Sequence, residues 1–181
     1  MVQSLQGQLL IAAPSLVDPN FRRSVVLVAQ HTDDGAMGLV LNRPSEALVS
    51  ETVPPLAPLV GDAETVWSGG PVEPGGVIVV AEFDEPSEAA ELIFGDVGFM
   101  PAEADPGEVA ETTRRARVFA GYAGWSAGQL EAELEADGWF VANAVEDDVF
   151  HDAEDVWSFV LARQGGPYAL LSKMPPEPGL N

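Results

Sequence analysis

Histidine is scarce in this chain, with only His31 and His151. His31 is followed by Asp33 and Asp34, so the stretch offers a metal one nitrogen and two oxygens. A dedicated site needs a third or fourth convergent ligand. The stretch therefore reads first as a turn, His31-Thr-Asp-Asp-Gly35, with glycine supplying the positive φ. A Ser-His-Asp relay can be written with Ser24, Ser45 or Ser126, but no nucleophile-elbow sequence surrounds any of them. Cysteine is absent, which removes thiol catalysis, disulfides and thiolate metal sites together. No catalytic residue, metal or cofactor is expected.

Three turns combine glycine with a polar side chain beside a strand end: Asn42-Arg43, Gly69-Gly70 and Gly124 to Gln129. Glycine lets backbone approach a ligand closely. A helix beginning at the third turn would direct free N–H groups at an anion, and Arg43 is one of few positive charges to meet it. Asn42, Arg43, Gly69, Gly70, Trp125, Ser126 and Gln129 are the candidate ligand-binding residues. Asn42, Arg43, Gly70 and Trp125 should then line one concave surface. The competing reading is that the turns pack together, Ser126 takes the free N–H groups and Arg43 pairs with Glu46. The loop Ser68 to Gly76 lacks the lysine and hydroxyl of a phosphate-binding loop, so close backbone packing suits it better.

The elements that must position these residues can be read locally. Residues 117–123 read as a strand, apolar and β-branched. Ser126 with Gln129 completes a capping box, and Trp125 with Leu130 forms a hydrophobic staple. The spacing predicts a helix over 127–137, ended by a left-handed Gly138 with Trp139 touching Leu134. Glu131, Glu133 and Glu135 form its solvated face. Residues 8–13, 24–30, 36–41, 65–67, 77–81, 91–94, 97–100 and 140–142 read as strands, with 24–42 and 91–100 as hairpins. The adjacent Arg22 and Arg23 could grip an anion, but the favoured expectation is that one of them pairs with a local carboxylate such as Asp18. Ser45 is expected to cap a short helix from Glu46, and residues 52–60 form an irregular arm. Residues 145–150 read as a short strand, and Asp152 caps a last helix in which Val156 pairs with Val160 and Trp157 with Leu161. The proline-rich tail reads as loose.

The chain has 181 residues and a net charge of −21. A single domain over 1–181 is the default for this length. No run approaches the roughly 18 apolar residues of a membrane span, and the N-terminus lacks the basic start of a signal peptide. A cytoplasmic protein fits. Such an acidic chain is repelled by nucleic acid and anionic lipid. Direct nucleic-acid binding is not expected, and the four tryptophans read as core.

Several strands are continuous apolar runs and need cover on both faces, yet only two helices are well signalled. An antiparallel, bent, partly barrel-like sheet with helices packed outside resolves this, giving an α+β fold.

Four stretches carry a resemblance. They are Gly7-x-Leu-Leu-Ile-Ala-x-Pro14 with Asp18-Pro-x-Phe-x-Arg-Ser-Val25; His31-x-x-x-Gly-Ala-Met-Gly38 through Asn42-Arg-Pro44; Gly69-Gly-Pro71; and Gly121-Tyr-Ala-Gly-Trp125 through Gly128-Gln-Leu-Glu131. Together they resemble the YqgE/AlgH family of small bacterial proteins, over residues 5 to 171. The resemblance implies an α+β fold with a partly barrel-like sheet and no settled activity. Its members are described as uncharacterised or as candidate transcriptional regulators. Three function classes follow: a protein-interaction module acting on transcription indirectly, a small-molecule (anion) binding protein, and an enzyme of unknown class.

Overall fold

The computed structural model describes residues 2–152 and 155–176. Its strands are β1 (Gln8–Ala12), β2 (Val25–Thr32), β3 (Gly35–Val40), β4 (Pro44–Leu48), β5 (Thr65–Ser68), β6 (Val72–Phe83), β7 (Glu91–Phe94), β8 (Val97–Phe99), β9 (Thr113–Ser126) and β10 (Trp139–Asn143). Among the described residues seven short helices join them: α1 (Val49–Thr52), α2 (Ala57–Val60), α3 (Pro106–Glu111), α4 (Gln129–Glu135), α5 (Glu146–Phe150), α6 (Val156–Gln164) and α7 (Gly166–Leu171).

The strands form one sheet in the order β10-β1-β2-β3-β9-β6-β8-β7, with β4 on β5 and β5 on β9. All pairings are antiparallel except β5 with β9. The sheet is bent but not closed into a barrel. Although β2 and β7 are far apart in strand order, Gln30 Nε2 donates to Glu91 Oε2 at 2.7 Å. Gln6 Nε2 likewise donates to the Leu92 carbonyl at 3.1 Å.

The continuous apolar strands are explained by double cover. Leu9, Ile11, Val25, Leu27, Leu39 and Leu41 pack on one face, against Val149 and Phe150 of α5 and Trp157, Val160 and Leu161 of α6. The alternate residues Leu10, Ala12, Val26, Val28 and Val40 pack on the other face, with Trp125, Leu130 and Trp139. Period-two alternation sends neighbours to opposite faces, and here both faces are core. The α6 spacing holds, since Val156, Trp157, Val160 and Leu161 are all buried.

Several local expectations are corrected. Ser45 does not cap a helix: it lies in β4, and its Oγ donates to the Val66 carbonyl at 2.5 Å. The arm at 52–60 is built of short helical turns, not irregular chain. Residues 146–150 are helix, because Asp148 Oδ2 accepts from the Val145 N–H (2.9 Å) and starts a turn that strand-forming side chains alone would not suggest. Asp155, not Asp152, caps α6, accepting from the Ser158 N–H at 3.1 Å. Part of the tail expectation falls on residues 177–181, outside the described residues.

Candidate functional site

The candidate residues divide among three places. Asn42 ties the open end of the β2–β3 hairpin: its Oδ1 accepts from the Val25 N–H (3.0 Å) and its Nδ2 donates to the Arg23 carbonyl (2.8 Å). Beside it, Arg43 donates to the carbonyls of Asn42 and Arg22. Burial pushes its guanidinium below the ordinary arginine range. The expected Glu46 pairing is absent among the described residues, as is any hydrogen bond or ion pair from Arg43 to α4. Asn42 lines a hollow of about 330 Å³ with Glu64 and Trp67.

Gly69 and Gly70 serve backbone packing. A Cβ on Gly69 would lie 2.3 Å from the Gly121 carbonyl oxygen, and one on Gly70 2.1 Å from the Tyr122 carbonyl carbon. No ligand-sized space separates those chains.

Trp125, Ser126 and Gln129 form the third place, at the junction of β9 and α4. Ser126 ends β9, and α4 begins later than expected, with left-handed Gly128 (φ 78°) as its N-cap. Half of the capping box survives, since Gln129 Oε1 accepts from the Ser126 N–H at 3.0 Å. The Ser126 hydroxyl also reaches Gln129 (3.3 Å) and so does not cap the helix. Trp125 and Leu130 share a core cluster, as the staple requires. At the far end Asp137 (φ 57°), not Gly138, is left-handed. The Gly138 N–H bonds the Glu133 carbonyl and the Asp137 N–H the Leu134 carbonyl, both at 3.0 Å. This is a Schellman ending set back by one residue, and aspartate is among the few residues that tolerate that φ.

Two of the three glutamates expected in solvent fasten α4 instead. Glu131 Oε1 lies 2.7 Å from His31 Nε2. Glu133 Oε2 accepts from the Trp125 indole N–H at 2.6 Å. Burial, with Asp18 nearby, raises the Glu133 carboxyl above its ordinary range against the lowering effect of that bond. His31 Nδ1 accepts from the Leu5 N–H (3.0 Å), so Nε2 carries the proton given to Glu131. With both nitrogens engaged, His31 has no lone pair for a general base. Asp33 accepts from the Val2 N–H, and no group of three or more metal-ligating side chains occurs among the described residues. No serine hydroxyl bonds a histidine ring among the described residues: Ser4 donates to the His31 carbonyl, Ser24 to Phe21 and Ser45 to Val66.

One large concavity does exist, about 870 Å³, where the tip of the β2–β3 hairpin faces the start of β6. It draws on five stretches of chain distant in sequence, the first of them at Gln6. Gln30, Asp34 and Met37 come from the hairpin, Glu73, Val77 and Ile78 from β6, Glu91 from β7, and Tyr122, Gly124 and Trp125 from β9. Met37, Ile78 and Tyr122 form an apolar floor continuous with the core. Asp34, Glu73 and Glu91 are its carboxylates, and among the described residues no lysine or arginine lines it. Of the candidate residues only Trp125 reaches it. The other lining residues were missed because no local spacing links five stretches that only the fold of the sheet brings together. The one available signal was Glu73 in the Pro71-Val-Glu-Pro-Gly-Gly76 stretch, which bulges out of the β6–β9 ladder between Val72↔Tyr122 and Val77↔Ala120.

The chain's seven arginines are all engaged elsewhere. Arg23 lies 3.3 Å from Asp155 and stacks on Trp157, not on Asp18, which instead accepts from the Asn20 N–H. Arg22 donates to the Pro176 carbonyl. Arg114 meets Glu82, Asp84 and Asp96; Arg115 meets Glu82 and Asp147. Arg117 donates to the Val149 and His151 carbonyls, and Arg163 grips Asp148 at 2.6 and 2.8 Å.

Comparison with known proteins agrees with this architecture. A family model described as AlgH-like matches residues 9–169. A UPF0301 protein of Thermobifida fusca is 42% identical over 190 residues, covering 98% of this chain and 96% of its own. One of Mycobacteroides abscessus is 41% identical over 175 residues, covering 93% and 84%. Among solved structures, the crystal structure of protein DIP2367 from Corynebacterium diphtheriae superposes with a TM-score of 0.87 at 32% identity, covering 95% of this chain and 93% of that one. The solution structure of the AlgH protein from Pseudomonas aeruginosa does so with a TM-score of 0.73 at 31% identity, covering 97% and 98%. With the match spanning nearly the whole sheet, the chain belongs to the AlgH-like family.

Proposed function

We propose that this protein is a cytoplasmic protein-interaction module whose cleft receives a positively charged segment of a partner. The observation that carries this reading is the cleft itself: an apolar floor, three carboxylates and no cation among the described residues, in a chain of net charge −21. Such a field raises the encounter rate with a basic partner and repels nucleic acid. Each rim pair contributes roughly 0.2–1 kcal/mol, so affinity rests on the floor and selectivity on the rim. The arginines support the same reading, since their donors already meet carboxylates or carbonyls and leave few for phosphate. A regulatory role of the kind the family resemblance implies would run through that protein contact, not through DNA.

The anion reading of the glycine turns finds less support, because Arg43 gives its donors to main-chain carbonyls. An enzymatic reading would have to rest on the carboxylates of the cleft, since His31 has both ring nitrogens engaged.

The test is a titration, followed by tryptophan fluorescence, with pools of blocked lysine-rich and glutamate-rich peptides at low and high salt. Salt-sensitive binding of the lysine-rich pool alone, lost in Asp34→Lys with Glu91→Lys, is expected. Equal binding of both pools, or binding indifferent to the double variant, overturns the reading.

A further inference from the structure

We propose that the occupant of the cleft is an extended, positively charged peptide from another protein, added as a strand to the free edge of β9 at Gly124. This rests on the reading above and specifies its geometry. The far half of β9 pairs with β3 through Gly35↔Ser126, Ala36↔Trp125, Met37↔Gly124 and Gly38↔Ala123. In an antiparallel ladder, alternate residues direct N–H and C=O to the same edge. The Ser126 N–H goes to Gln129 Oε1 and so points away from β3. By alternation the Gly124 N–H and C=O point away from β3 as well. On that side β6 makes its last pairing at Val72↔Tyr122, two residues short of Gly124.

A donor and an acceptor are thus presented together on a strand edge, at an exposed residue lining the cleft. The face above Gly124 is open as well: an added Cβ would meet only Tyr122 and Val72, at 3.6 Å. An extended peptide supplies the complementary C=O and N–H, and its alternate side chains face one side. That side is the floor of Met37, Ile78 and Tyr122, while Asp34, Glu73 and Glu91 select basic residues among the others. Glu91 already accepts from Gln30 through Oε2, which leaves Oε1 for a partner cation. The chain cannot supply this segment from a second copy of itself. Its richest basic run, Arg114 to Arg117, lies within β9 with its guanidiniums in ion pairs or on carbonyls.

The experiment uses the full chain and three probes: a blocked hexapeptide alternating lysine and valine, the same peptide N-methylated at alternate backbone nitrogens, and spermidine. The N-methyl peptide keeps every charge and loses ladder donors. Expected are binding of the first peptide, slowed exchange of the Gly124 amide on binding, and at least about tenfold weaker binding of the N-methyl form, the equivalent of about one hydrogen bond. Equal affinity for the two peptides, or an unchanged Gly124 amide with the peptide bound, overturns strand addition while the cationic cleft stands. Spermidine binding as tightly as the peptide overturns strand addition in the same way. If neither peptide nor spermidine binds, this proposal and the reading beneath it both fall.

Discussion

The two halves of β9 divide the molecule. Residues 113–120 pair with β6 along their length and gain β5 at Phe119 and Ala120. Their arginines consume the carboxylates that face them, with Glu82, only 7% exposed, held by both Arg114 and Arg115. Residues 121–126 keep β3 on one edge and lose β6 on the other after Tyr122. The nearby carboxylates Asp34 and Glu73 meet no arginine among the described residues. In an acidic chain with eight basic residues, cations concentrated on one half of a strand leave the other half negative. Structure and an open surface are thus separated along one element.

The largest effect that would break this comparison is a methyl group at Gly70. Its φ is 152°, and a Cβ would sit 2.1–2.4 Å from backbone atoms of Tyr122 and Ala123. Backbone cannot give way as a side chain does, so Gly70→Ala should cost more than about 3 kcal/mol or prevent folding. Gly124→Ala, in ordinary contact and without a positive φ, should be neutral or stabilising by up to about 1 kcal/mol. Urea melts of the two variants check this. Similar losses at both positions would mean that the free edge is as tightly packed as the junction.

Much of the scaffold was legible because its signals are local. The apolar run Leu9 to Ala12 demanded cover on both faces and has it. The 24–42 hairpin followed from Gly35, and the pairing of Trp125 with Leu130 from staple spacing. Errors arose where a distant partner overrode a local rule. Ser45 looked like a cap, but the Val66 carbonyl claims its hydroxyl. Arg23 looked local to Asp18, yet Asp155 and Trp157 hold it from over 130 residues away. Glu131 looked solvated until the fold brought His31 beside it. The cleft was invisible for the same reason: its walls meet only when the sheet bends.

A smaller effect contrasts the carboxylates. Glu82→Ala removes a nearly buried acceptor from two arginines, which keep Asp84, Asp96 and Asp147 as other partners. A loss of about 2 kcal/mol is expected, below that of a buried pair with no alternative partner. Asp34→Ala should change stability by less than about 0.5 kcal/mol while weakening peptide binding. Paired melts and titrations separate the two. An equally destabilising Asp34→Ala would place that carboxylate in the scaffold and sharpen the boundary elsewhere.

The smallest effect lies behind the first half of β9, where Arg117 stacks 4.1 Å over Trp67 and His151 meets the same indole edge-on at 5.5 Å. His151 Nε2 lies 3.0 Å from the Leu41 carbonyl and must carry the proton it donates, so Nδ1 is left as a buried lone pair without a partner among the described residues. Burial lowers the imidazole below its ordinary range, and the Arg117 charge adds to this. The Leu41 bond and the carboxylates of Asp148 and Asp152 act the other way. Because the folded pKa lies below the unfolded value of about 6.5, the folded state binds fewer protons. Its stabilising contribution is full above that value and is lost as pH falls below it. Wild type should therefore lose urea stability more steeply between pH 7.5 and 5 than His151→Gln, whose amide can still donate to Leu41 but does not titrate. Parallel curves for the two would show that the ring is protonated without cost, and that this half of β9 is less sealed than its packing implies.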